Sequence, residues 1–149
     1  MGYKYGVWYV YSKNVFNTKH MSHFTVACLM NKKDMYDLYF SIRDIFGYTN
    51  AVIVNCKESK VFDNNMYKDD NNDLHSWGYE GKILHWNVLK SLLIDYDCNY
   101  TDNNHTTIQY SKNKDELEPY ELNHNKSIIC RLVCVDMNDD NPENWKIII

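Results

Sequence analysis

Two tetrapeptides, "HFTV" at 23–26 and "HTTI" at 105–108, constrain this chain more than any other feature. Each opens a segment that reads as a strand, "HFTVACLM" over 23–30 and "HTTIQYS" over 105–111, because β-branched, apolar and hydroxyl side chains suit a pleated, half-buried surface. Side chains two apart in a strand project to one face, so His23 travels with Thr25 and His105 with Thr107. With the two strands side by side, four polar groups converge on one hollow.

Two imidazoles and two hydroxyls suit one kind of chemistry. An imidazole titrates near neutral pH and can serve as general base or general acid. A hydroxyl can donate to a non-bridging phosphate oxygen and steady charge that develops in a transition state. A single His-x-Thr on a strand is ordinarily structural, since Thr favours strands and a core His can be satisfied there. The pairing is what points to a site. His20-Met21-Ser22 has the same spacing, but no apolar strand follows it immediately.

The remaining pattern predicts strands over 5–12 ("YGVWYVYS"), 51–56 ("AVIVNC") and 127–138 ("SIICRLVCVDMN"). Between 31 and 47, Met35, Leu38, Tyr39, Ile42, Ile45 and Phe46 recur every three or four residues, which is the stripe of an amphipathic helix. Asn31 is placed to cap its start and Gly47 to end it. Trp86, Leu89, Leu93 and Tyr96 supply the same spacing for a second helix, preceded by a short strand. Residues 63–76 are Asn/Asp-rich and read as a surface loop. Pro142 forces a turn before a last short element. The order β β α β, loop, α β β alternates only partly, which favours an α+β fold in one domain spanning 1–149.

The chain has 149 residues and a formal net charge of −4, with no Lys/Arg run. A protein that grips a long duplex usually presents a basic face, so a small nucleotide or oligonucleotide is the better expected partner. Five cysteines (Cys28, Cys56, Cys98, Cys130, Cys134) include no CxxC pair, which fits reduced, largely buried thiols and a cytoplasmic location. No signal peptide or membrane span is expected. The abundance of Asn, Lys, Asp, Tyr and Ile fits an AT-rich genome, viral or microbial. His20, His23, Cys28, His75 and His85 lack the short ligand spacing of a zinc site. "DNNMYKDDNND" lacks the Gly and terminal Glu of a calcium loop, so no metal or other cofactor is expected.

The two tetrapeptides resemble the twin His-x-Thr/Ser-x signature of the 2H phosphoesterases, or LigT-like phosphodiesterases. The separation of the motifs and the helix before the second are also similar. The resemblance implies a bilobal α+β fold, with two pseudo-symmetric antiparallel-sheet lobes and outer helices around a central cleft. It implies metal-independent phosphodiester chemistry, with His23 and His105 as acid and base and Thr25 and Thr107 holding phosphate. Length, an aromatic first strand and a Trp near the C-terminus look most like viral members that destroy nucleotide immune signals, such as phage anti-CBASS phosphodiesterases. Here the first motif begins early and the intervening loop is long and polar, which leaves the subgroup open.

Three activities follow as expectations. The first is cleavage of a cyclic nucleotide or cyclic oligonucleotide messenger such as cGAMP, in viral immune evasion. The second is 2′,3′-cyclic or 2′-5′ phosphodiester cleavage at RNA ends or on oligoadenylate. The third is sequestration of a nucleotide without turnover. Tyr9, Tyr11, Tyr110 and Trp145 are the rings considered for holding a base, since a stacked ring is worth about 1–3 kcal/mol. Tyr9 and Tyr11 share a strand face and Trp8 lies on the other, so at most one set reaches a cleft.

Overall fold

The computed structural model describes residues 4–63 and 74–149. Its described strands are β1 (Tyr5–Val10), β2 (His23–Met30), β3 (Thr49–Val54), β4 (Lys60–Asp63), β5 (His75–Ile83), β6 (His105–Ser111), β7 (Lys126–Asp136) and β8 (Lys146–Ile147). Two helices, α1 (Lys32–Phe46) and α2 (Trp86–Leu93), follow β2 and precede β6. The fold is α+β, as the element order predicts.

α1 forms where the apolar stripe requires it. Asn31 Oδ1 accepts the Asp34 amide at 2.8 Å, and the Gly47 amide closes on the Arg43 carbonyl at 2.8 Å with a positive φ of 79°. Met35, Leu38, Tyr39 and Ile42 are buried against the sheet, each contributing roughly 1.5–3 kcal/mol of apolar transfer. Ile45, counted in the stripe by its spacing, turns outward and is exposed. Leu89 and Leu93 bury α2 in the same core. Two assignments change. β4 forms within a charged stretch because it pairs with β5, and β5 begins at His75, inside the segment read as loop. Most of that segment, including all but the first residue of the run that lacks the marks of a calcium loop, lies outside the described residues.

All strand pairings are antiparallel, with the path β2-β1-β7-β3-β5. The first part of β5 carries β4 on one side and β6 on the other, while its last residues pair with β3. β2 and β6 are thus remote along the sheet, yet they touch. The Tyr11 hydroxyl meets Thr106 Oγ1 at 2.6 Å, and Cys28 and Asn99 exchange backbone hydrogen bonds of 2.9 and 2.8 Å. The sheet therefore bends until its ends meet.

The helices cover one face over a core that includes Val7, Tyr9, Phe24, Val26, Tyr79 and Leu132. A smaller cluster of Trp8, Val10, Cys28, Val133, Val135, Met137 and Trp145 lines the other face. All five cysteines are thiols outside any disulfide, four of them buried. Among the described residues no helix is long and apolar enough to cross a membrane.

Candidate active site

Pairing register decides which side chains look into the hollow between β2 and β6. Trp8 lies opposite Thr25 and Val10 opposite His23, so these residues share the face away from the helices. On β6, His105 lies opposite Glu80 and Thr107 opposite Gly78. His23, Thr25, His105 and Thr107 all line one cleft of about 430 Å³, within the usual range for a small-molecule site.

The two strands share a second feature. Each carries one unpaired extra residue directly after its Thr, Val26 on β2 and Ile108 on β6. Such a bulge shifts the alternation of faces by one. It brings Cys28 and Tyr110, each three residues beyond its Thr, onto the cleft side. The fourth motif position is thus a bulge in both halves.

The histidines are pinned in the same way. His23 Nδ1 lies 2.8 Å from the Met21 carbonyl, and His105 Nδ1 lies 3.1 Å from the Asn103 carbonyl. A carbonyl only accepts, so each Nδ1 carries the proton and donates it. Each Nε2 is then the nitrogen free to exchange a proton with a ligand.

Their surroundings differ. The His23 ring stacks on Trp8 at 3.4 Å and an interplanar angle of 5°, with Trp145 edge-on at 6.3 Å. It is buried, and desolvation, aided by His20 and His105, holds its pKa down at about 3 against the Met21 hydrogen bond. His105 is half-buried, with Phe62 at 4.2 Å. Desolvation lowers its pKa too, while the Asn103 carbonyl and the Glu80 carboxylate oppose that effect. Glu80 lines the cleft and pairs with Lys60 at 2.9 Å.

Of the rings considered for a base, only Tyr110 reaches the cleft, and burial raises its hydroxyl to about 12. Trp145 stands one layer behind, against Trp8, His23 and Tyr110, with Nε1 donating to the Asp139 carbonyl at 2.7 Å. Tyr9 and Tyr11 do not reach it. Tyr9 pairs with Phe24 on the helix side, and Tyr11 is committed to Thr106. Alternation separates Trp8 from Tyr9 correctly, but only the register with β2 tells which of them backs the motif.

His20, set aside by its sequence context, proves to be part of the scaffold. Its Nε2 donates to the Thr107 carbonyl at 2.8 Å, and its ring meets Tyr110 edge-on at 4.8 Å. No periodicity marks it, because it sits in a polar loop. Lys60 and Phe62 on β4, Glu80 on β5 and Asn99, Tyr100, Thr101, Asn103 and Asn104 ahead of β6 were likewise not visible as site residues, since the pairing of β4, β5 and β6 and the Cys28–Asn99 backbone pair bring them to the cleft. Among the described residues, no cluster of three or more His, Cys, Asp or Glu is arranged to hold a metal ion. The chain matches no protein-family model and no curated protein.

Proposed function

We propose that the protein is a phosphodiesterase of the 2H type, acting on a small nucleotide or cyclic oligonucleotide with His23 and His105 as the acid–base pair. The observation that carries this reading is the repeated unit around the cleft: a His whose Nδ1 is tied to the carbonyl two residues back, a Thr two residues on, and a bulge after it. Two proton-exchanging Nε2 atoms and two hydroxyls in one hollow meet the needs of in-line displacement at phosphorus. One imidazole takes the proton of an attacking water or ribose hydroxyl as the new P–O bond forms. The other gives a proton to the ribose oxygen as the old P–O bond breaks. The hydroxyls steady the charge on the non-bridging oxygens. Under this reading the ends of the bent sheet correspond to the two lobes of the 2H fold, and the source is a virus blunting nucleotide signalling in the host cytosol.

The test is turnover of a panel comprising cyclic GMP-AMP, adenosine 2′,3′-cyclic phosphate, and 3′-5′ and 2′-5′ adenylyl-adenosine, in chelator, with products read by mass. The expected result is cleavage of at least one compound, lost by about 10²–10⁴-fold in His23→Asn and in His105→Asn. Preference for oligonucleotide ends would move the reading to RNA termini. Tight binding without product would replace it by sequestration. All compounds intact and unbound would end it.

A further inference from the structure

The two halves of the cleft repeat each other in backbone and in the anchoring of the imidazole, but not in charge. Among the described residues, a carboxylate acts on His105 and none acts on His23. Glu80 occupies the β5 position directly opposite His105 on β6, a pairing that brings side chains within about 4.5–5.5 Å at Cβ. Lys60 Nζ holds Glu80 Oε1 at 2.9 Å from β4. Phe62, two residues further along β4, lies at 4.2 Å from the His105 ring. Glu80 is thereby fixed on the side of His105 toward β5.

We propose, resting on the phosphodiesterase reading, that Glu80, fixed by Lys60, is a positioning residue that makes His105 the proton donor of the pair and leaves His23 as the acceptor. The groups facing each imidazole set this order. His105 faces Glu80 from β5, Lys60 beyond it on β4, and His23 across the cleft. His23 faces Trp8 on β1, Trp145, and the imidazoles of His20 and His105. An imidazolium in the first setting gains a neighbouring negative charge. Both lose water, and each Nδ1–H keeps one carbonyl, Met21 or Asn103; in the second setting the imidazolium meets two further imidazoles in place of a carboxylate. Both Nδ1–H groups stay on their carbonyls, so both transfers run through Nε2. His23 Nε2 takes the proton of the attacking hydroxyl as the P–O bond forms. His105 Nε2–H passes its proton to the leaving ribose oxygen as the other P–O bond breaks. Solvent returns the proton from His23 to His105 between turnovers, so the cycle balances.

The test has an arm that needs no turnover and an arm that does. In the full chain with imidazole nitrogens labelled, NMR titration is expected to protonate His105 at higher pH than His23. Glu80→Gln should lower the His105 midpoint by about half a unit to one unit, the exposure of the ion pair keeping the shift modest. The His23 midpoint should stay where it was. The reverse order, or an unmoved His105 in the variant, overturns the proposal whatever the enzyme cleaves.

In the second arm the probes are adenylyl-(3′→5′)-adenosine and adenosine 3′-(4-nitrophenyl phosphate), whose nitrophenolate leaves without a proton. His105→Asn should lose the first activity by about 10²-fold or more and keep most of the second. His23→Asn should lose both. Rescue of His23→Asn instead would reverse the roles and overturn the proposal. If the intact protein cleaves neither probe nor any panel compound, the phosphodiesterase reading falls and takes this arm with it.

Discussion

His23 shows how a single side chain's environment sets its chemistry. Stacked on Trp8 and stripped of water, it keeps a pKa of about 3 against an ordinary 6.5. As pH falls below 6.5, the unfolded chain takes this proton and the folded chain does not until about 3. The unfolded state is therefore favoured progressively across that window, by up to about 4–5 kcal/mol if His23 alone is counted. His23→Asn retains a donor for the Met21 carbonyl and removes the titration. Denaturant unfolding at about pH 7 and about pH 4 should show the intact protein losing a few kcal/mol more than the variant. Equal losses would mean that His23 is not held neutral.

Trp8 supports that state, although its own Nε1 has no hydrogen-bond partner among the described residues. Trp8→Phe keeps a ring under the imidazole and removes the orphan donor, so stability should change little. Trp8→Leu should cost about 2–4 kcal/mol and reduce turnover, read by unfolding and by kinetics together.

At the scale of elements, β6 depends on a glycine of its neighbour. A Cβ on Gly78 would collide with the Thr106 carbonyl and crowd the Thr107 Cα. Gly78→Ala should thus displace the second motif, costing about 1–3 kcal/mol in unfolding experiments and lowering activity as well. Gly47→Ala is the control. It meets no atom but strains a positive φ at the end of α1, so it should cost about 1 kcal/mol with turnover intact. Equal effects of the two on turnover would contradict the role given to β6.

The sequence displayed α1 well, because stripe, cap and terminating glycine agree there. It displayed β2, β6 and β7 through their apolar, β-branched runs. It hid β4, whose "KVFD" becomes a strand only through pairing with β5. It hid the bulges as well, since an extra residue after Thr25 or Thr107 is defined by a partner strand rather than by the local pattern. His20 and Glu80 were illegible for the same reason: their partners, Thr107 and His105, are set by folding across 87 and 25 residues.

Across the whole molecule, the site exists because a sheet whose end strands are remote along its path is bent until they touch. Three ties hold the ends: Tyr11 to Thr106, His20 to Thr107, and the Cys28–Asn99 backbone pair. Tyr11→Phe deletes one tie and leaves the Thr106 hydroxyl buried. It should lower stability by about 1–2 kcal/mol, read from the denaturation midpoint, without removing any group that lines the cleft.

The proposed function requires His23 and His105 to act on one phosphate. It is tested most directly by titrating the labelled protein with an adenosine–vanadate complex, which offers a trigonal-bipyramidal mimic of phosphorus under attack, and following both imidazoles by NMR. The His23 and His105 Nε2 signals should move together along one saturation curve, with a single dissociation constant. Movement of one signal alone, or two curves with different midpoints, would contradict it.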